Sequence, residues 1–160
     1  MPVVSNTSPI LNLAIVGQLD LLRQQFGQIQ IPPAVLDELK IAEARPGSQA
    51  VQVAITAGWI QVQPVSNQSF VQLLRQTQDG GEAEAISLAL ELQAERILLD
   101  ERDGRKVAKS LGLQVTGVLG VLLRAKESGE LPSLQPVIEK LTQNAGFRVA
   151  PELLARVLEA

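Results

Sequence analysis

The chain has 160 residues, of which 46% are apolar and 19% are charged, and its formal net charge is −3. This length is sufficient for a hydrophobic core, and we expect residues 1–160 to form a single domain. The chain contains no cysteine, histidine or tyrosine, which excludes disulfides, thiolate nucleophiles, Ser-His-Asp triads and metal sites built on thiolate or imidazole. An enzyme of this composition has to use carboxylates, hydroxyls, Lys, Arg or a metal bound by oxygen.

The sequence shows no pattern of membrane insertion or secretion. Its apolar runs are all shorter than the ~18 residues that a membrane span needs. The N-terminal segment 1–17 has no basic residues of the kind that begin a secretion signal. Together with the absence of cysteine, these patterns are compatible with a cytoplasmic protein that does not insert into membranes, and we expect that location.

Short apolar strands alternate with helical patterns along the whole chain. Strands are predicted at 3–5, 28–31, 59–63, 96–100 and 113–116. Helices are predicted at 9–16, 19–26, 33–43, 48–57, 70–74, 82–93, 103–111, 118–128, 134–144 and 151–159. Ser8 before Pro9 is typical of an N-cap followed by the first helical residue.

Helices between short strands indicate parallel βαβ units and an α/β fold. Residues 3–4 and 97–99 are continuous apolar runs, as in central strands covered on both faces. The other three strands alternate with Gln or Thr, so we place them outside this pair and expect 28–31 to be half-buried. The prediction is a three-layer α/β/α domain whose five-stranded parallel sheet has the order 3-2-1-4-5, completed by C-terminal helices from about residue 117.

This strand order identifies where a site is expected. Ligands of such sheets bind beyond the carboxyl ends of the strands, at the point where the winding direction reverses. Here that point lies between the first and fourth strands, which end at Asn6 and Asp100.

Two carboxylates on predicted helices are expected to join them. Glu38 shares a face with the apolar residues of helix 33–43, and an unpaired carboxylate on an inward face is unusual because burying a charge is costly. Glu82 lies on the apolar stripe of its helix, whereas Glu84 is expected to be more exposed.

Each of these acids also has an ordinary interpretation. Acids are common in the first turn of a helix, where they interact favourably with the helix dipole, and this alone would explain Glu82. Glu38 is compatible with a solvated helix flank, and Asp100 with a turn or an N-cap. The agreement of three such signals on one corner of the sheet favours a site.

Several segments, in this order and spacing, resemble successive motifs of the PIN domain. They are VVSNTSPI (3–10), IPPAVLDEL (31–39), GEAEAI (81–86) and LLDERDGR (98–105). The segments 116–122 and 146–148 resemble the tail of a prokaryotic branch that is related to VapC-like toxins and often catalogued as a domain of unknown function. The resemblance covers essentially the whole chain.

This resemblance implies a metal-dependent ribonuclease, toxin-like in type, that cuts RNA with the help of Mg²⁺ or Mn²⁺. Its four acidic positions fall on Asn6, Glu38, Glu82 and Asp100, of which the last three are the expected catalytic acids. The further candidates are Glu101 and Asp103 as additional ligands, and Thr7, Ser8 and Glu84 as auxiliary residues. Hard oxygen ligands of this kind suit Mg²⁺. The resemblance also implies a homodimer and a small antitoxin partner.

Two positions depart from the family pattern. Asn6 stands where relatives commonly carry Asp, so the site has one negative charge fewer. Leu98 stands where relatives often carry Ser or Thr. The alternative is therefore a catalytically weakened PIN domain that binds RNA or a partner protein. A Rossmann-type nucleotide-binding module is disfavoured because the chain lacks G-x-G-x-x-G and P-loop motifs.

Four basic residues follow Asp100 in the sequence. Arg102, Arg105, Lys106 and Lys109 have spacings that place several of them on one helical face. Beside an acidic pocket, such a rim is expected to hold the phosphate backbone of RNA. An ordinary solvated helix face is the alternative.

Overall fold

The computed structural model describes residues 1–159, and side chains for residues 1–156. The strands are β1 (Val3–Ser5), β2 (Ile29–Ile31), β3 (Ile60–Val62), β4 (Arg96–Leu98) and β5 (Val115–Thr116). The helices are α1 (Thr7–Ile15), α2 (Asp20–Phe26), α3 (Pro33–Leu39), α4 (Ser48–Ala57), α5 (Gln68–Leu74), α6 (Gly80–Glu91), α7 (Arg102–Ser110), α8 (Val118–Glu127), α9 (Gln135–Asn144) and α10 (Pro151–Glu159).

The strands form one parallel sheet in the order β3-β2-β1-β4-β5, with helices on both faces. The predicted α/β/α architecture and strand order are therefore confirmed. In the central pair, Ser5 of β1 lies opposite Leu98 of β4. The amide of Asn6 continues this ladder by donating to the Leu98 carbonyl at 2.9 Å. The ends of the two central strands, and the residues that follow them, thus lie side by side at the switch point.

The core is built on the central strands and on α6. Val4, Ile97 and Leu98 have no exposed surface, in agreement with strands covered on both faces. Most of α6 is buried as well, and this helix packs against α3, α5, β1 and β4. The helix that carries Glu82 is thereby fixed against the strands that end at the switch point.

The expectation that β2 is half-buried is wrong. All three of its residues are buried, including Gln30, which is 8% exposed. The Gln30 amide donates to Gln61 Oε1 at 3.2 Å and accepts from Gln63 Nε2 at 2.8 Å. Because these glutamines satisfy the polar atoms of Gln30, the alternating pattern does not lead to solvent exposure.

Several helix boundaries differ from the sequence prediction by one or more residues, and α1 and α3 show the physical reasons. Ser8 is not an N-cap, because α1 begins at Thr7 and Asn6 precedes it as the N-cap residue, without a side-chain capping bond. Helix α3 ends at Leu39 rather than near residue 43, since Lys40 adopts a left-handed conformation with φ of 50°. The apolar pattern continues past Lys40, so periodicity alone overestimates the helix.

The C-terminal helices pack onto this sheet and its first helices. Helix α8 contacts α1, α2 and β5, and α9 contacts α1. The Phe147 amide donates to the Leu141 carbonyl at 3.0 Å, which turns the chain back after α9. Leu154 of α10 packs partly buried against the core. Within residues 1–159, each helix is too short or too polar to cross a bilayer.

Candidate functional site

Asn6 and Asp100 lie at the ends of the two central strands and carry buried oxygens without hydrogen-bond partners. Asn6 is 4% exposed and its Oδ1 atom has no hydrogen-bond partner. The Oδ2 atom of Asp100 is also buried and also has no partner. A buried polar atom without a partner costs free energy, so it usually marks a strained site or a place where a ligand binds.

Glu38 reaches the same edge from α3. Its carboxylate accepts hydrogen bonds from the Thr7 hydroxyl and, at 3.2 Å, from the Gly81 amide. A Cβ atom at Gly81 would overlap this carboxylate, so the glycine leaves the space for Glu38. Contrary to the expectation of an inward, buried carboxylate, the Glu38 side chain is exposed, because it extends past the starts of α1 and α6 to the surface.

Glu82 is the buried acid of the site. It is 7% exposed and lies in the first turn of α6, where its amide donates to Asp79 Oδ1 at 2.8 Å. Burial, followed by the negative charges of Asp79, Glu101 and Glu38, raises the pKa of Glu82 to about 7. The site therefore contains a carboxyl group that exchanges its proton near neutral pH.

Gln78 is a neighbour of Glu82 that the sequence patterns did not reveal. It is 7% exposed, and its Oε1 atom has no hydrogen-bond partner. A Cβ atom at Gly104 would lie 3.2 Å from Gln78 Oε1 and 3.1 Å from Glu82 Oε2, so both side chains approach the same point of α7. A lone glutamine before an N-cap residue has no distinctive sequence signal, which is why it was missed.

Asp100 makes its contacts on the opposite side, at α8. Its Oδ1 atom accepts from the Val118 amide at 2.9 Å, at the start of that helix. Burial raises the pKa of Asp100, while the Val118 N–H and the Arg105 guanidinium act against that increase. The acids that act on Glu82 are Asp79, Glu101 and Glu38, whereas Asp100 interacts with an amide and a cation.

The structure thus joins Thr7 and Glu38 by a hydrogen bond, places the Glu38 charge within range of Glu82, and orients Asp100 toward α8. Among the residues that the structure describes, it forms no group of three or more Asp or Glu side chains that could hold a metal ion. A four-residue metal site around Asn6, Glu38, Glu82 and Asp100 stays a prediction.

The auxiliary candidates lie around this centre. Ser8 is exposed on α1, and Glu101 and Asp103 are exposed at the start of α7. Glu84 accepts from the Ala34 amide at 3.0 Å and so links α6 to α3, which is a structural contact.

The basic residues of α7 divide into two groups. Arg102, Lys106 and Lys109 are exposed at positions that share one helical face. Arg105 is half-buried beside Asp100, and both line a cavity of about 480 Å³ at α8. Arg148, which sequence analysis did not single out as a cation, lines the same cavity.

Comparison with known proteins identifies the family of the chain. No curated protein matches the chain. Residues 2–160 match the sequence model of a family, DUF3368, that is described as a PIN domain. Since this match covers nearly the full length, the chain belongs to the PIN-domain family.

Proposed function

We propose that the protein is a metal-dependent endoribonuclease that hydrolyses RNA phosphodiesters at the edge where β1 and β4 end. The observation that carries the proposal is the pair of buried, unpartnered oxygens at these two strand ends, Asn6 Oδ1 and Asp100 Oδ2. Membership of the PIN-domain family, whose members are generally nuclease-like, supports the same conclusion.

The donor atoms at this edge fit a hard divalent cation. Asn6, Glu38, Glu82 and Asp100 offer amide and carboxylate oxygens, the ligands that Mg²⁺ and Mn²⁺ prefer. Burial and then the negative charges of neighbouring acids raise the pKa of Glu82, and a bound cation would offset that repulsion. When bound, Mg²⁺ or Mn²⁺ lowers the pKa of a coordinated water and stabilises negative charge on phosphate oxygens.

The chain itself positions the acids and binds the substrate. The cation would be held in part by the buried carboxylate of Glu82, which is subject to the negative charges of Asp79, Glu101 and Glu38. Thr7 and the Gly81 amide hold Glu38 in place. The exposed Arg102, Lys106 and Lys109 attract the RNA backbone, although the chain as a whole is negatively charged.

The finer biological assignment is part of the same proposal. The resemblance to VapC-like toxins favours a toxin-like enzyme that acts as a homodimer on cytoplasmic RNA and is inhibited by a small antitoxin protein. The acidic, exposed edge with its basic rim is the surface that such an inhibitor would have to cover.

Two observations favour a second candidate function, a PIN domain that binds RNA or a protein partner without cleaving RNA. Asn6 removes one negative charge from the site, and the Asp100 carboxylate is already hydrogen-bonded to the start of α8. Both features would weaken metal binding.

A cleavage assay on single-stranded RNA with Mg²⁺, Mn²⁺ or EDTA distinguishes the two functions. We expect cleavage with either cation, none with EDTA, and a loss of about 100-fold or more in Glu82→Gln and Asp100→Asn. Glu127→Gln, an exposed acid of α8, is the matched control and should cut at the wild-type rate. RNA binding without metal-dependent cleavage would support the second function instead.

A further inference from the structure

The cavity at α8 is continuous with the candidate site. It has a volume of about 480 Å³ and lies between β5, the first half of α8 and residues 147–153. Asp100 forms part of its wall, so whatever occupies the cavity lies directly beside a candidate catalytic acid. A volume of this size is in the range of pockets that bind small organic ligands.

Two arginines in the wall give the cavity affinity for anions. Arg105 from α7 and Arg148 from the segment after α9 both line it. The Arg105 guanidinium is close enough to Asp100 to influence the pKa of that acid. A guanidinium group binds phosphate through two parallel hydrogen bonds, so two guanidinium groups in the wall of one cavity favour a phosphorylated ligand.

The rest of the wall is apolar and includes an aromatic ring. Leu119, Leu123 and Phe147 are half-buried there. Nucleobases stack on aromatic rings and pack against apolar side chains irrespective of their sequence. A wall that combines two guanidinium groups with apolar side chains and an aromatic ring is complementary to a nucleotide.

We propose that this cavity binds one nucleotide of single-stranded RNA, adjacent to the phosphodiester that is cleaved. Its phosphate binds to Arg105 and Arg148, and its base packs against Phe147, Leu119 and Leu123. This inference rests on the proposed function, because it identifies the substrate contact of the same site.

The cavity should accept any of the four bases. Thr116 offers a side-chain hydroxyl in the wall, and that hydroxyl accepts a hydrogen bond from Arg96 Nη1. Stacking and phosphate contacts supply most of the proposed affinity, and neither depends strongly on the base.

Binding and cleavage are measured separately to test the inference. Fluorescence anisotropy of labelled hexauridylate is followed in EDTA, so that no metal-dependent cleavage occurs. We expect Arg148→Ala and Leu123→Trp, which fills the cavity, to weaken binding about tenfold, as the loss of a charged hydrogen bond does. Arg23→Ala removes a surface arginine of α2 that does not line the cavity, and should change the dissociation constant less than twofold.

A cross-linking experiment locates the base directly. Hexauridylate carrying one 5-iodouridine is irradiated with the wild-type protein, and we expect the modified peptide to contain Phe147. Because Leu123→Trp could disturb folding, Phe147→Ala serves as a second variant, and circular dichroism checks both. Wild-type affinity in Arg148→Ala and Phe147→Ala, or a cross-link to a distant peptide, would overturn the inference.

The outcomes also separate this inference from the proposed function. If Glu82-dependent cleavage is present but the cavity variants bind RNA normally, the nucleotide site is wrong and the nuclease assignment stands. If RNA binding depends on the cavity but no divalent cation supports cleavage, the nuclease assignment is wrong and the nucleotide site stands.

Discussion

Three other acids act on the buried Glu82 carboxyl through their negative charges, whereas the Asp100 carboxylate interacts with a backbone amide and a guanidinium. We call the first group the acidic half, formed by Glu38, Asp79, Glu82 and Glu101, and the second the capped half, formed by Asp100, Arg105 and the Val118 amide. In the acidic half, burial and like charges raise the pKa of Glu82 to about 7. In the capped half, an N–H group and a guanidinium oppose the effect of burial on Asp100.

This comparison shows that position at a sheet edge does not determine the role of an acid. In the acidic half, the negative charges of three acids raise the pKa of a fourth, which is characteristic of sites that bind cations or transfer protons. Asp100 instead contributes to the start of α8 while its second oxygen stays unpartnered. The two halves should therefore respond differently to substitution.

The largest expected effect on stability is a gain from removing the charge of Glu82. In the unfolded chain this carboxyl ionises near pH 4.5, whereas in the folded protein it ionises near 7. Ionisation therefore destabilises the fold progressively as the pH rises between these values. In EDTA at pH 8, Glu82→Gln should increase the free energy of unfolding by roughly 2 kcal/mol, measured by urea denaturation.

The gain should decrease as the pH is lowered and vanish below about pH 4, where both states are protonated. Glu127→Gln serves as the control and should stay within about 0.5 kcal/mol at every pH. An equal stability of Glu82→Gln and wild type at pH 8 would show that Glu82 is not under electrostatic strain.

The next effect concerns the capped half. A Cβ atom at Gly117 would lie 2.5 Å from Asp100 Oδ1, and the short, buried carboxylate has little space to retreat. Gly117→Ala should therefore lower the free energy of unfolding by roughly 1 to 2 kcal/mol in urea denaturation. In Gly120→Ala the new atom meets only the Thr116 methyl group, at 3.0 Å, so a clearly smaller change is expected. Similar losses in both variants would contradict the rigidity of the Asp100 contact.

The smallest effect on stability is expected for the equivalent substitution in the acidic half. In Gly81→Ala the new atom displaces the Glu38 carboxylate, but that side chain is long and exposed and can move into solvent. We expect a loss of less than about 0.5 kcal/mol in unfolding free energy. Calorimetric titration should nevertheless show Mn²⁺ affinity reduced about fivefold, since Glu38 leaves its position beside Glu82.

Gly80→Ala is the matched control in the same turn of α6. Its new atom would lie 3.9 Å from the Arg75 guanidinium, an ordinary contact. Equal Mn²⁺ affinity in the two glycine variants would mean that the Gly81 contact does not hold Glu38 in the position that binds the cation.

Much of the fold could be predicted because it depends on local patterns. Continuous apolar runs placed β1 and β4 at the centre of the sheet, and the strand order followed. Predictions that assumed a polar residue must face solvent were less successful. Gln30 is buried because Gln61 and Gln63 form hydrogen bonds with its amide. The alternation of apolar and polar residues along a strand does not show whether a polar side chain has such a partner.

The places of several candidate residues in the fold were predictable, but their contacts were not. Asn6 and Asp100 follow the two central strands and Glu82 lies in the first turn of α6, whereas their role in one metal site stays a prediction. Gln78 and Arg148 were missed, because a buried amide and a C-terminal cation gain significance only from the residues that surround them in space.

The sequence by itself determined the order of the strands and the edge of the sheet at which Asn6 and Asp100 lie, since both follow from which segments are apolar enough to be covered on two faces. Only the tertiary structure decided what each acid does there. Glu38 is held by Gly81, 43 residues later, and Asp100 by Val118, 18 residues later. Contacts between such distant residues depend on packing, which local periodicity does not encode.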